Sequence, residues 1–278
     1  MLGLVSCATT SYYLQSLDGH IDLLLKKQPI SGILASQDTD ELLQEKLEMV
    51  LDIRKFASEH LALPVNDSYS DYADLGRDFV VWNVFATPEL SLKAKQWCFL
   101  FVGCLNYRGY YSKDSAFSYA EKLEAQGYDI FVAGVTAYST LGWFNDPVLN
   151  TMLGRDNHYL ASVIFHELSH QKIYIRNDTA FNEAFAEMVS QTGVRRWLNL
   201  HDTEASRQKF LDKQLEQRSF VNLILKYKVK LETIYNSELA NDIKRETKAL
   251  LLNQLVKEYE DKSEIKANTA QYATWLSS

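Results

Sequence analysis

Two histidines, His166 and His170, enclose Glu167-Leu168-Ser169 within a stretch led by Leu160-Ala161-Ser162-Val163-Ile164-Phe165, whose apolar period reads as helix. Four residues make about one helical turn, so both imidazoles leave one face and can grip a single Zn²⁺. Glu167 lies beside that face, placed to take a proton from a metal-bound water. A His-Glu-x-x-His run of this kind is what a zinc-dependent peptidase needs, but two histidines leave the metal short of a ligand.

A third ligand is within reach. Asn182-Glu183-Ala184-Phe185-Ala186-Glu187 opens a second helical stretch that continues through Met188-Val189 to Trp197-Leu198. A catalytic zinc site usually takes three protein ligands and keeps one position for water. The first helix is expected to end near Ile175, Arg176-Asn177-Asp178 to form a turn, and Asp178 to cap the second helix. His170 then lies ~7 Å of helix before the turn and Glu183 ~7 Å after it, so antiparallel helices set the two level. Glu187, one turn further on, comes level with His166 and can accept its second ring N–H, the outer partner that a ligating histidine normally has. The plainer alternative is a structural histidine pair and a helix start with a solvated acidic face. Both runs together, in order and at a spacing that closes, favour one Zn²⁺ per chain on His166, His170 and Glu183.

His-Glu-x-x-His followed by Asn-Glu-x-x-x-Glu resembles the gluzincin metallopeptidases, the group that includes thermolysin and the zinc aminopeptidases. Over most of its length the chain is similar to a bacterial family of putative aminopeptidases. The landmarks of that family stand here as Tyr72-Ala73-Asp74-Leu75-Gly76, Val81-Trp82-Asn83-Val84-Phe85-Ala86, Tyr107-Arg108-Gly109-Tyr110, Ala137-Tyr138-Ser139-Thr140-Leu141-Gly142-Trp143-Phe144 and Thr179-Ala180-Phe181-Asn182-Glu183. By this resemblance His166, His170 and Glu183 bind zinc, Glu167 is the general base, and Glu187 is the acid behind the ligands. The resemblance further implies that an edge strand pairs with the substrate backbone, for which 129–137 is the candidate, with Tyr138-Ser139-Thr140 at its exit. It implies a donor to the oxyanion as well, Tyr235 or alternatively Tyr138. Two departures matter: the gap from His170 to Glu183 is shorter than in thermolysin, and the Gly-x-Met-x-Asn segment that grips a substrate amine is absent.

Leu4-Val5-Ser6-Cys7 has the shape of a bacterial lipobox, in which the cysteine is lipidated. Only Met1 to Ser6 precede Cys7, with no Lys or Arg, so either the true start lies upstream or the match is accidental. Lipid chains contribute roughly 0.8 kcal/mol per buried CH₂, so a multiply acylated Cys7 would be a firm membrane anchor. This makes the chain an expected periplasm-facing lipoprotein of the bacterial envelope, with 1–7 a truncated signal and lipobox. Cys98 and Cys104 flank the short apolar run 99–103. A disulfide between them would suit an oxidising compartment; two buried free thiols are the alternative.

The elements that must position these residues are legible in outline. Helices are expected over 11–27, 38–61 (ended by Pro64) and 112–126 (stopped at Gly127), with strands over 79–85, 97–102 and 129–137. Loops are expected over 66–78 and 138–147, and two long charged helices over 203–262, broken near Asn236-Ser237. The fold class is α+β: a mainly helical, zincin-like body with a small, mostly antiparallel sheet and an active-site helix. It is read as one domain over 8–278 whose part from about 203 is helical. A hydrophobic fraction of 46% is enough for a substantial core, while a net charge of −7 argues against nucleic-acid partners.

Three functions remain open at this point. One is a lipid-anchored zinc aminopeptidase acting on peptides. Another is a zinc endopeptidase or cell-wall peptide hydrolase using the same site. The third is a non-catalytic envelope lipoprotein with a structural metal site, against which Glu167 speaks because a structural site needs no general base.

Overall fold

The computed structural model describes residues 15, 19, 21–99, 103–137, 140, 145–176, 178–201 and 204–262. Cys7 and Tyr138 lie outside the described residues, as do 11–14, 16–18 and 20 of the helix expected over 11–27, of which 15, 19 and 21–25 are helical. The fold is α+β, mainly helical, with small sheets rich in antiparallel pairs. It divides into two compact units. One is drawn from the chain up to Val81 and from Gly134 to Phe210, the other from Trp82 to Ala133 and from Leu211 onward.

The first unit holds the two histidine- and glutamate-bearing helices. Its sheet is made of three very short strands, β1 (Lys27–Pro29), β2 (Asp71–Ala73) and β8 (Val148–Leu149), in the order β1-β2-β8. β1 runs antiparallel to β2, and β2 parallel to β8. A short helix, α1 (Ile30–Ala35), follows β1, and α4 (Asn150–Leu153) follows β8. The sheet therefore passes through the segment 66–78 expected as a loop. Two or three residues per strand are too few to show an alternation, which is why the sequence hides them.

Three long helices form the core of this unit: α2 (Glu41–Leu61), α5 (Asn157–Lys172) and α6 (Thr179–His201). Asp40 caps α2 by accepting from the Leu43 N–H, one of the donors that a helix start leaves unpaired. The helix ends at Leu61, as expected, but the stop is Ala62, which turns left-handed at φ 53°, rather than Pro64. One face of α2, with Leu47, Val50, Ile53, Phe56 and Ala57, is buried against α5 and α6. Lys46 donates to the Arg155 carbonyl and to Asn157 Oδ1, which ties α2 to the start of α5.

The second unit contains β3 (Val81–Pro88, of which Val81 lies in the first unit), β6 (Arg108–Tyr110) and most of β7 (Tyr128–Val135), in the order β6-β3-β7. Of the strand expected over 97–102, the described part, 97–99, is a strand, and 100–102 lie outside the described residues. β4 (Trp97–Phe99) pairs antiparallel with β5 (Gly103–Leu105), with Cys98 directly opposite Cys104. The two cysteines are joined by a disulfide. Helix α3 (Lys113–Glu124) is capped by Ser112 and followed by Gly127 at φ 82°. Two long helices complete the unit, α7 (Glu204–Tyr235, from Leu211 on) and α8 (Asn241–Lys262). Leu223 and Tyr227 of α7 pack with Leu255 of α8. Among the described residues, no helix is long and apolar enough to cross a membrane.

Gly193 of α6 marks a tight approach between helices of the first unit. A Cβ there would lie 2.7 Å from Leu61 Cδ1 and 2.7 Å from Phe165 Cδ2. Leu61 can yield, but Phe165 is wholly buried and its ring also meets Phe56 at 5.8 Å. Alanine favours a helix over glycine by ~1 kcal/mol, whereas overpacking a closed core costs about 1–3 kcal/mol. Gly193→Ala is therefore expected to destabilise by up to about 2 kcal/mol, read as a lowered urea midpoint with an unchanged slope.

Candidate metal centre

The site grows from the hairpin of α5 and α6. α5 leaves helical geometry at Ile173 (φ −138°, ψ 121°), earlier than the expected end near Ile175. The physical reason lies in Asn182. Its side-chain Oδ1 accepts from the Ile175 N–H and its Nδ2 donates to the Ile175 carbonyl, each at 2.8 Å. This two-point clasp ties the Ile175 backbone to the first turn of α6. Asp178 accepts from the Phe181 N–H and caps that helix. At the far end of the pair, Ser162 and Ser190 share a hydroxyl contact at 2.8 Å, and Ser190 Oγ donates to the Ser162 carbonyl. The antiparallel register of the helices is thus fixed at both ends.

That register brings the expected ligands together. His166 Nε2 and His170 Nε2 are 3.1 Å apart. The Glu183 carboxylate spans the pair, with Oε2 3.2 Å from His166 Nε2 and Oε1 3.6 Å from His170 Nε2. One donor atom from each residue lies within 4.8 Å of the others, and among the described residues this is the one such group of His, Cys, Asp and Glu. Tetrahedral coordination at Zn–N ≈ 2.0–2.1 Å would separate two nitrogens by about 3.3–3.4 Å, so the donor set fits a zinc-sized cation with little movement. Without a shared proton or a cation, two imidazole lone pairs this close would repel. His170 is buried, and burial lowers its pKa; Glu183 opposes that shift and His166 adds to it. A neutral imidazole is the ligating form. Glu183, by contrast, is 57% exposed on its side chain, so the cluster is walled on one side and open on the other.

Around the donors, Glu187 Oε2 stands 3.8 Å from His166 Nδ1, and the other oxygen, Oε1, accepts from Gln191 Nε2. The buried Nδ1 of His170 has no hydrogen-bond partner among the described residues. Glu167 is half-buried on α5, about 100° around the helix from His166. His158 lies off the cluster, edge-on to Phe210 at 5.8 Å. Behind His170, Gln171 accepts from Asn66 Nδ2 and donates to Ser68 Oγ, while Arg54 donates to the carbonyls of Asn66 and Ser68. The loop 66–68 is thereby fastened to the ligand helix. Sequence reasoning did not find Asn182, Gln171, Ser162 or Ser190 in these roles. Only Asn182 gave a signal, as the neighbour of Glu183 in the quoted motif.

The residues expected along the substrate path are distributed as follows. β7 is an edge strand of its sheet. Thr136, just past β7, places its hydroxyl 2.6 Å from the Tyr159 hydroxyl on α5, and its carbonyl accepts from Thr151 Oγ1. Thr140 is held by Asp146, which accepts from both its N–H and its Oγ1. Tyr235 ends α7 in the second unit. Burial first, then the charges of Asp129 and Glu89, push its phenol up to about 12.

A protein-family model described as "Putative aminopeptidase" matches residues 11–278. No curated protein and no solved structure matches the chain.

If the three donors form one metal centre, purified protein should take up about one divalent zinc per chain, and Glu183→Ala should abolish tight uptake. Glu187→Ala removes only the group behind His166 and should weaken affinity roughly 10–100-fold. Competition against a chromophoric chelator reads both variants on one scale.

Proposed function

The chain belongs to the putative aminopeptidase family, and from that premise we propose that it is a zinc-dependent peptidase of zincin-like fold. The observation that carries the proposal is the three-donor cluster of His166, His170 and Glu183, open towards solvent at Glu183, with Glu167 one residue past the first histidine. A structural zinc site is usually closed by four protein ligands and needs no base. Three donors and an adjacent carboxylate suit hydrolysis instead.

In this reading His166, His170 and Glu183 hold the zinc, which when bound supplies Lewis acidity that lowers the pKa of water and polarises a carbonyl. Every other task falls to side chains. Glu167 takes the proton from the attacking water and returns it to the leaving amine, a general-base and general-acid pair of steps on one carboxylate. Glu187 orients His166 through Nδ1. The donor to the developing oxyanion is assigned to Tyr235, with Tyr138 as the alternative. A phenol at about 12 keeps its proton at neutral pH and so remains able to donate. The exposed edge of β7 is proposed to receive the peptide backbone by strand addition. Aminopeptidase action follows the family description; the endopeptidase or cell-wall peptide hydrolase reading uses the same residues. We place the protein at the periplasmic face of a bacterial membrane, anchored through lipidated Cys7.

Glu167→Gln keeps the volume of the side chain and leaves the ligands intact. It should retain zinc while losing roughly 10²–10⁴-fold in turnover. Mass spectrometry of a digested peptide mixture gives the cleavage positions: stepwise loss of amino-terminal residues selects the aminopeptidase, and internal cuts select the endopeptidase. A Glu167→Gln variant that still cleaves at the wild-type rate would end the metallopeptidase reading.

Expression with the native upstream region tests the anchor. The protein should sediment with membranes, and Cys7→Ser should release it; equal solubility of both forms would remove the lipid anchor from the proposal.

A further inference from the structure

Helix α7 is apolar on two opposite faces. One face, with Leu223 and Tyr227, is covered by α8 through Leu255, Leu251 and Tyr259. About 180° around the helix lie Leu211, Leu215, Leu225 and Val229, with Val221 at their flank. These five side chains are 39%, 62%, 50%, 63% and 47% exposed, respectively. Isolated exposed leucines are ordinary on a protein surface, but a continuous stripe along one helix is not.

The stripe has a repeat and a symmetry. Leu211, Leu215, Arg218, Asn222, Leu225 and Val229 follow one another at alternating steps of four and three, the spacing of a coiled-coil seam. The seam is also palindromic about Phe220. Leu211 and Val229 are equidistant from that point, as are Leu215 and Leu225, and Arg218 and Asn222. A second α7 laid antiparallel across the first would therefore set apolar layers against apolar layers and Arg218 against Asn222. The Asn222 side-chain oxygen can accept from the guanidinium. A parallel pairing would instead bring Arg218 against its own copy, two like charges in the seam. Neither Arg218 nor Asn222 has a hydrogen-bond or ion-pair partner among the described residues. Opposite-charge flanks favour the same orientation, because Asp212 then comes alongside Lys226 of the second copy, a lysine that already meets Glu258 of its own chain.

From this self-complementarity we infer that α7 is a homodimerisation surface, joining two copies of the chain through an antiparallel, two-fold pairing centred on Phe220. A single patch that contacts itself closes on two subunits and does not propagate. The seam is ~27 Å long from Leu211 to Val229. One helix face of that length falls short of the roughly 800 Å² per partner of a standard stable interface, so the dimer is concentration-dependent. It does not depend on the proposed peptidase activity.

The test uses the full chain carrying Cys7→Ser, with the Cys98–Cys104 disulfide intact. Light scattering should show the mass rising towards twice the chain mass between micromolar and several hundred micromolar protein. Leu215→Glu with Leu225→Glu should hold the mass at one chain without loss of helical circular dichroism, since both positions face solvent in the single chain. Orientation is read by oxidative cross-linking. Leu211→Cys and Val229→Cys should each fail to cross-link alone and should cross-link with each other when mixed. Self-cross-linking of Leu211→Cys would overturn the antiparallel pairing. A constant monomer mass at every concentration, or a dimer indifferent to the glutamate pair, would overturn the surface.

Discussion

The register between α5 and α6 is the constraint on which the site depends. A shift of one residue along either helix would rotate a ligand by about 100° and move it ~1.5 Å, enough to break a three-donor cluster. Asn182 prevents that at the turn by satisfying both backbone groups of Ile175, and Ser162 with Ser190 prevents it at the other end. Just beyond Ser190, Gly193 lets α6 approach Phe165, the residue before His166. The donors themselves hold nothing together: a buried imidazole, a half-exposed one and an exposed carboxylate are costly or neutral to bring into proximity. The scaffold carries that cost, which is how functional clusters are usually paid for.

Support for the ligand helix also comes from outside the hairpin. Arg54 on α2 gathers the carbonyls of Asn66 and Ser68, and the same loop meets Gln171 beside His170. A cation is thus committed to backbone acceptors rather than to a carboxylate. At His170 itself burial weighs first, then the Glu183 carboxylate and the His166 ring.

The parts visible in the sequence are those whose information is local. Two histidines one turn apart, a helix cap at Asp178 and a carboxylate thirteen residues beyond His170 are fixed by counting along the chain. The cysteines on facing arms could be paired from their spacing once a hairpin was considered, yet the apolar run between them reads more simply as one strand. What stayed hidden is non-local or very short. β1, β2 and β8 have two or three residues each and pair across 42 to 76 positions of sequence. The clasp at Asn182 depends on a side-chain amide finding a backbone seven residues back, which no periodicity announces. The exposed stripe of α7 was present in the sequence as heptad spacing, but a helix with two apolar faces blurs its own pattern.

The disulfide between Cys98 and Cys104 joins residues that already face each other across a two-stranded hairpin. Closing so small a loop removes little chain freedom, worth about 2 kcal/mol in the loop-entropy account. Its reach is equally short, because the bond spans one hairpin and crosses no helix. Reduction would accordingly act as a regional event, loosening one excursion of the chain while the cooperative unit bearing the histidines stays folded, so that resistance to heat and resistance to reductant are separately set properties of this protein.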